Sequence, residues 1–185
     1  MPTPLNIPII LGASRPERQS AKVAALLQSI LEKNPNVSPV SVDVRDFEIE
    51  YDEKQQIPEF HAITTAADAF VLVFPEYNHG FPGKFKTLLD TEFATYKHKP
   101  VLVASVSSGQ FGGVRAVESL LPILSNFGMI VSGKNLHFPF VKELFDDAGQ
   151  LKDEKVLERA ERMVDELIEL TQIIQVGKEG VKTAE

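Results

Sequence analysis

Short runs with apolar residues at nearly every position occur at 5–11, 69–74 and 100–106, and each ends at a glycine, a proline or a pair of serines. A strand buried on both faces reads this way, because both rows of its side chains point into a core. Between the runs the period changes to that of a helix. Residues 21–31 place Val23, Leu26, Leu27 and Ile30 on one face, and Asn34-Pro35-Asn36 stops that helix. Residues 39–47 alternate Val40, Val42 and Val44 with polar side chains, a second strand with one face partly wet. The acidic stretch 48–59 reads as a surface loop and 60–67 as a short helix leading into the third strand.

Pro82 opens the next helix at a position where its missing N–H costs nothing, with Phe85, Leu88, Leu89 and Phe93 as the apolar face. The fourth strand is 100–106. Helix 114–127 follows, with Pro122 expected to kink or break it. Met129, Ile130 and Val131 make a short fifth strand, a charged segment follows, and residues 153–176 form a long amphipathic helix. Strands alternating with helices imply right-handed crossovers and a parallel sheet covered on both faces. The expected fold is α/β, a flavodoxin-like, doubly wound, five-stranded parallel sheet in the order 2-1-3-4-5. Ligands of such sheets sit outside the carboxyl ends of the strands, where the order reverses beside strand 1. One domain over residues 1–185 suits the length, with 177–185 as a frayed tail.

Composition excludes several classes of function. The hydrophobic fraction of 43% supports a packed core and argues against disorder. A net charge of -7 argues against a nucleic-acid partner, which selects a basic face. There is no cysteine, hence no disulfide and no thiolate nucleophile or metal ligand, and His61, His79, His98 and His137 lack metal-ligand spacing. No apolar run approaches the ~20 residues of a membrane helix. The start, Met1-Pro2-Thr3-Pro4, lacks the pattern of a signal peptide, so a cytoplasmic location away from membranes is expected.

The loops after strands 1, 3 and 4 are the three most unusual in the chain. The first runs from Gly12 to Ser20 and enters a helix, whose free N–H groups and positive dipole end suit a phosphate. Ser14 and Ser20 add hydroxyls, and Arg15 and Arg18 add charged planar donors. The loop lacks the Gly-Lys-Ser/Thr ending of a Walker motif and the extra glycines of a dinucleotide fingerprint, so a monophosphate suits it better than a pyrophosphate. The second loop is Pro75-Glu76-Tyr77-Asn78-His79-Gly80-Phe81-Pro82-Gly83, in which Gly80 and Gly83 leave room for a planar ligand and Tyr77 and Asn78 offer ring and amide contacts. The third, Ser107-Ser108-Gly109-Gln110-Phe111-Gly112-Gly113, can present backbone N–H groups to a ligand edge. Its serines do not lie in a Gly-x-Ser-x-Gly elbow, which disfavours a serine hydrolase.

These three loops, with Pro82-Gly83-Lys84-Phe85-Lys86, resemble the NAD(P)H-dependent FMN reductase family, which includes quinone, azo-dye and chromate reductases. The resemblance extends from Leu5 to about Gly133. It implies FMN as cofactor, NADPH or NADH as electron donor, and ping-pong hydride transfer through the flavin to a small acceptor: a quinone, an azo compound, a flavin or a metal oxyanion. It also implies a homodimer or homotetramer with FMN at the subunit boundary. Carried over, Ser14, Arg15, Arg18, Gln19 and Ser20 bind the phosphate, Pro75, Glu76, Tyr77 and Asn78 line the ribityl chain and ring, and Ser108, Gly109 and Gly112 line the ring's other side. His79 and Phe111, with Tyr77, shape the opening for substrate. Ala13 stands where many members have serine, and Ser14 offers the replacement hydroxyl. No acid–base residue is nominated, because the flavin carries the redox chemistry. The alternative is a flavodoxin-like electron carrier or regulatory module without turnover. Phe81, Phe85 and Phe93 exceed what one face of a short helix buries, so part of this set is expected to face a partner chain.

Overall fold

The computed structural model describes residues 3–49, 56–146 and 148–182. The strands are β1 (Leu5–Leu11), β2 (Val37–Asp43), β3 (Phe70–Pro75), β4 (Pro100–Val106), β5 (Ile130–Val131) and β6 (Leu136–Phe138). The helices are α1 (Ser20–Glu32), α2 (Pro58–Ala66), α3 (Gly83–Asp90), α4 (Val114–Asn126), α5 (Val141–Leu144) and α6 (Glu154–Lys182). All strand pairs are parallel, in the order β2-β1-β3-β4-β5.

The three central strands divide their side chains between two cores, as the pleat requires. Ile7, Ile9, Val71, Val73, Leu102 and Ala104 face α1 and α6, where Val23, Leu27, Val164 and Leu167 complete one core. Ile10, Phe70, Leu72, Phe74, Val101 and Val103 face α2, α3 and α4, meeting Phe60, Phe85, Leu88, Val117 and Leu120. Each fully buried side chain of this size is worth about 1.5–3 kcal/mol relative to exposure. The sheet is thus sealed on both faces, and ligands are left its carboxyl edge.

The edge beyond β4 departs from expectation. A sixth strand appears: β5 pairs with Pro100 and Val101, while β6 pairs with Ala104, Ser105 and Val106 on the same side. The fifth position is one strand's worth of pairing, interrupted by residues 132–135, where Gly133 turns the chain at φ 51°. Three residues centred on His137 carry no strand pattern of their own; the free edge of β4 recruits them.

Other boundaries shift for local reasons. β2 begins at Val37 and ends at Asp43, in register with β1 from Leu5↔Val37 to Leu11↔Asp43. Asp43 accepts from the Arg45 N–H at 2.9 Å and turns the chain into a single helical turn, so Val44 reaches the core without being strand. Of the expected loop 48–59, residues 50–55 lie outside the described residues, and α2 already starts at Pro58. Helix α4 continues past Pro122, which is exposed, so the carbonyl it leaves unpaired can turn to water. The expected frayed tail is helical through Lys182, with Gln175 hydrogen-bonded to Asp68 at the amino end of β3; residues 183–185 lie outside the described residues. No helix among the described residues is long and apolar enough to cross a membrane.

The aromatic set around α3 divides. Phe85 is fully buried, stacked on Phe74 at 5.4 Å and perpendicular to Phe81, so it is core and unavailable to a partner. Phe93 falls beyond the end of α3 and is 59% exposed, resting edge-on against Phe127.

Phe85 also dictates Gly12. A Cβ on Gly12 would lie 2.6 Å from the Phe85 ring, and the ring is hemmed in by Phe74 and Phe81. Gly12→Ala is expected to destabilise the protein by about 1–3 kcal/mol through overpacking. Gly109→Ala, where nothing lies within 4 Å of the added carbon, stays within about 0.5 kcal/mol of the parent. Urea titrations of the two variants check the contrast.

Candidate active site

The loops leaving β1, β3 and β4 are tied to one another by backbone hydrogen bonds. Gly12 N–H donates to the Val73 carbonyl at 2.8 Å, Glu76 N–H to Val106 at 3.0 Å, and Ser107 N–H to Phe138 at 3.1 Å. Val141 N–H returns to the Ser107 carbonyl at 3.1 Å and brings α5 to the same edge. Between these segments lies a cleft of about 230 Å³. Its walls are Arg15, Glu17, Arg18, Gln19 and Ser20 from the first loop, Pro75, Glu76 and Tyr77 from the second, and Val106, Ser107 and Ser108 from the third, closed by Val141 and Lys142.

Most of the residues expected from sequence meet here: Arg15, Arg18, Gln19, Ser20, Pro75, Glu76, Tyr77 and Ser108. Ser20 opens α1, is 1% exposed, and its hydroxyl lies buried without a partner. Leaving such an oxygen unpaired costs about 1–3 kcal/mol. One Glu76 carboxylate oxygen, Oε2, is likewise buried and unpaired, while Oε1 lies 3.7 Å from Arg115. Arg15 stacks its guanidinium 4.0 Å above the Tyr77 ring, which joins the first loop to the second.

Arg18 lines the cleft but has another occupation. Its terminal nitrogens grip the two carboxylate oxygens of Asp43, and Nη1 also donates to the Ala13 carbonyl. Burial pushes the Asp43 carboxyl up, but hydrogen bonds from Arg18 and Arg45 outweigh that and bring its pKa to about 2. The pair is therefore charged at any physiological pH.

Other expected residues stand apart from the lining. Ser14 is exposed beside Arg15. Tyr77 and Gly80 exchange hydrogen bonds of 2.8 and 3.0 Å, closing a two-residue hairpin whose tip is Asn78 and His79 at φ 50° and 67°. The left-handed positions thus fall on these two exposed side chains rather than on Gly80 or Gly83; asparagine and histidine are among the residues that tolerate them. Gly109 has open space around it. Gly112, expected against a ligand ring, is buried: at φ 60° a Cβ there would meet His137 at 2.8 Å, so it is required by packing on β6. Its carbonyl accepts from the Ser105 hydroxyl at 2.7 Å, and the same hydroxyl lies 2.8 Å from His137 Nδ1. Burial and then Arg159 hold the His137 pKa below its ordinary value. Phe111 is 53% exposed under the Arg115 guanidinium, 4.8 Å away.

Sequence reasoning did not find Val141 and Lys142, nor Arg115 and Phe140 nearby. They belong to segments with no ligand-type pattern, and only the pairing of β6 with β4 brings Val141 and Lys142 to the cleft.

The donor set fits FMN. A helix N-terminus with a serine hydroxyl that is buried and unpaired among the described residues, and an exposed arginine lining the same cleft, has the donors a phosphate monoester needs. Next to it, the half-buried Tyr77 on one side and Ser108 with the uncrowded Gly109 on the other leave space for a planar ring.

Similarity to known proteins shows the family and the fold. The model of the NADPH-dependent FMN reductase family matches residues 5–143. A quinone reductase of Pseudomonas putida is 27% identical over 158 residues, covering 80% of this chain and 85% of the relative. Among solved structures, the flavoenzyme NAD(P)H:(acceptor) oxidoreductase FerB of Paracoccus denitrificans superposes with a TM-score of 0.76 at 20% identity, over 91% of this chain and 97% of that one. A flavodoxin from the domain Archaea shares the fold with a TM-score of 0.63 at 13% identity, over 91% of this chain and 99% of that one. With the matched region running from β1 to α5 and containing the residues that line the cleft, this chain belongs to the NADPH-dependent FMN reductase family.

Proposed function

We propose that the chain is an NAD(P)H-dependent oxidoreductase that binds FMN in this cleft and passes reducing equivalents to a small acceptor of the quinone or azo class. The observation that carries the reading is the buried, unpartnered Ser20 hydroxyl at the start of α1, in a cleft walled by loops from β1, β3 and β4. FMN, when bound, supplies the redox chemistry, accepting hydride from the nicotinamide and releasing electrons to the acceptor.

The residues of the chain divide the remaining work. Ser20, the free N–H groups of α1 and the Arg15 charge hold the phosphate. Pro75, Glu76 and Tyr77 border the ribityl chain and ring on one side, and Ser108 on the other. The nicotinamide and the acceptor then share the open side of the cleft, toward which this reading places the exposed His79 and Phe111. Donor and acceptor therefore take turns at it, and positioning replaces any dedicated proton donor. The reading includes a homodimer in the cytoplasm: Phe111 and Phe140, 53% and 46% exposed near the cleft, mark the surface a second subunit would cover.

Ser20→Ala separates a ligand role from a structural one. Removing an unpaired buried hydroxyl is expected to leave the flavin-free protein as stable as the parent or slightly more so, while FMN affinity falls about tenfold. Arg15→Ala loses a charge-assisted contact worth about 1.5–3 kcal/mol, roughly a ten- to hundredfold weaker FMN complex. Riboflavin, lacking the phosphate, binds the parent and both variants alike. Equal FMN titrations across the three proteins would remove the phosphate assignment.

Steady-state rates with NADPH and a quinone should give parallel double-reciprocal lines as the acceptor is varied. Intersecting lines would mean a ternary complex, and absence of sustained NADPH oxidation would make the protein a carrier. Light scattering of the FMN-loaded protein should give the mass of two chains; a monomer mass would reject the dimer.

A further inference from the structure

We propose that Arg18 and Asp43 act together as positioning residues for the phosphate loop, stapling it to the end of β2 so that Ser20 and the first turn of α1 are held ready for a phosphate that Arg18 itself does not touch. The inference rests on the FMN reading of the cleft and assigns a task to the one loop arginine whose charge is already spent.

The geometry is that of a clamp. The Arg18 guanidinium forks onto both oxygens of Asp43, and Nη1 also takes the Ala13 carbonyl, just after β1. One planar group thereby joins the start of the loop, its far side and the last residue of β2. Arg18 is 7% and Asp43 17% exposed at the side chain, so the pair is largely withdrawn from water. Asp43 is further fixed by the Arg45 N–H at 2.9 Å and guanidinium at 3.2 Å. Between the stapled points, Ser14, Arg15, Pro16 and Glu17 are exposed, and no strand or helix holds them.

Direct phosphate contact by Arg18 is the competing role, and the arrangement disfavours it. Handing the fork to a phosphate would leave the Asp43 carboxylate partly buried without its main partner, and breaking such a pair is strongly unfavourable. Lysine offers no substitute, because a single ammonium cannot span two carboxylate oxygens and a carbonyl in one plane. Arg15, exposed and without a carboxylate partner among the described residues, is the arginine placed to meet the phosphate.

The test is titration of the flavin-free full chain with FMN and, separately, riboflavin, for the parent, Arg18→Ala, Arg18→Lys, Asp43→Asn and the Arg18→Ala/Asp43→Asn double variant. Circular dichroism melts confirm that each is folded. The expected result is about a tenfold or greater loss of FMN affinity in every variant. Riboflavin affinity stays within about twofold of the parent, and the double variant is no worse than either single one, because one clamp can be broken only once. Asp43→Asn binding FMN as tightly as the parent or tighter, while Arg18→Ala loses it, would overturn the proposal in favour of direct contact. Equal losses for FMN and riboflavin would also overturn it, since general support of the fold does not discriminate the phosphate. A folded parent that binds neither flavin would overturn the reading of the cleft, and the clamp's purpose with it; the pattern among variants tests the clamp alone.

Discussion

Burial of β1, β3 and β4 on both faces is the constraint on which the rest of the molecule depends. A strand with two apolar rows is stable only between two layers, and α1 and α6 on one side and α2, α3 and α4 on the other provide them. Once both faces are covered, parallel connections must run from the carboxyl edge of one strand to the amino edge of the next. Because β2 lies on one side of β1 and β3 on the other, the loops after β1 and β3 part in opposite directions and leave a crevice between them. The cleft is a consequence of the sheet order before any of its side chains is considered.

Polar groups around that edge fall into two kinds. Arg18, Asp43, Ser105 and His137 are partnered, and what they hold is backbone: the loop after β1 in one case, the Gly112 turn in the other. Ser20 Oγ and Glu76 Oε2 are buried without partners, although each such atom costs about 1–3 kcal/mol. A protein whose stability is only about 5–15 kcal/mol tolerates that where a ligand will repay it. Asn6 Oδ1, Ser132 Oγ, Asn135 Oδ1 and Arg159 Nε are also buried and unpaired away from the cleft, so it is the convergence of Ser20 and Glu76 on one cleft that marks the site.

Much of this was legible from residues alone. The runs at 5–11 and 100–106 coincide with β1 and β4, because a strand buried on both faces has a pattern that partners cannot alter. The unusual composition of the three loops marked the cleft; Ser20, Arg15 and Tyr77, chosen on their side-chain chemistry, meet there with Pro75, Glu76 and Ser108, which the family resemblance supplied. What local pattern could not carry was the short edge. Leu136, His137 and Phe138 become β6 only because β4 has an unpaired side, and with them come Val141 and Lys142.

The sequence by itself determined the alternation of strands and helices and the identity of the loops, because periodicity is a property of neighbours along the chain. The tertiary structure alone decided what each loop residue does there. Arg15 and Arg18 are chemically equivalent in the sequence, three positions apart in one loop. The arrival of Asp43 from the end of β2 commits one of them to the scaffold, while Tyr77 holds the other at the open edge of the cleft. Gly112 likewise reads as a ligand-facing glycine, yet His137 claims the space beside it. Such assignments depend on residues tens of positions apart meeting within a few ångströms, and folding alone brings them there.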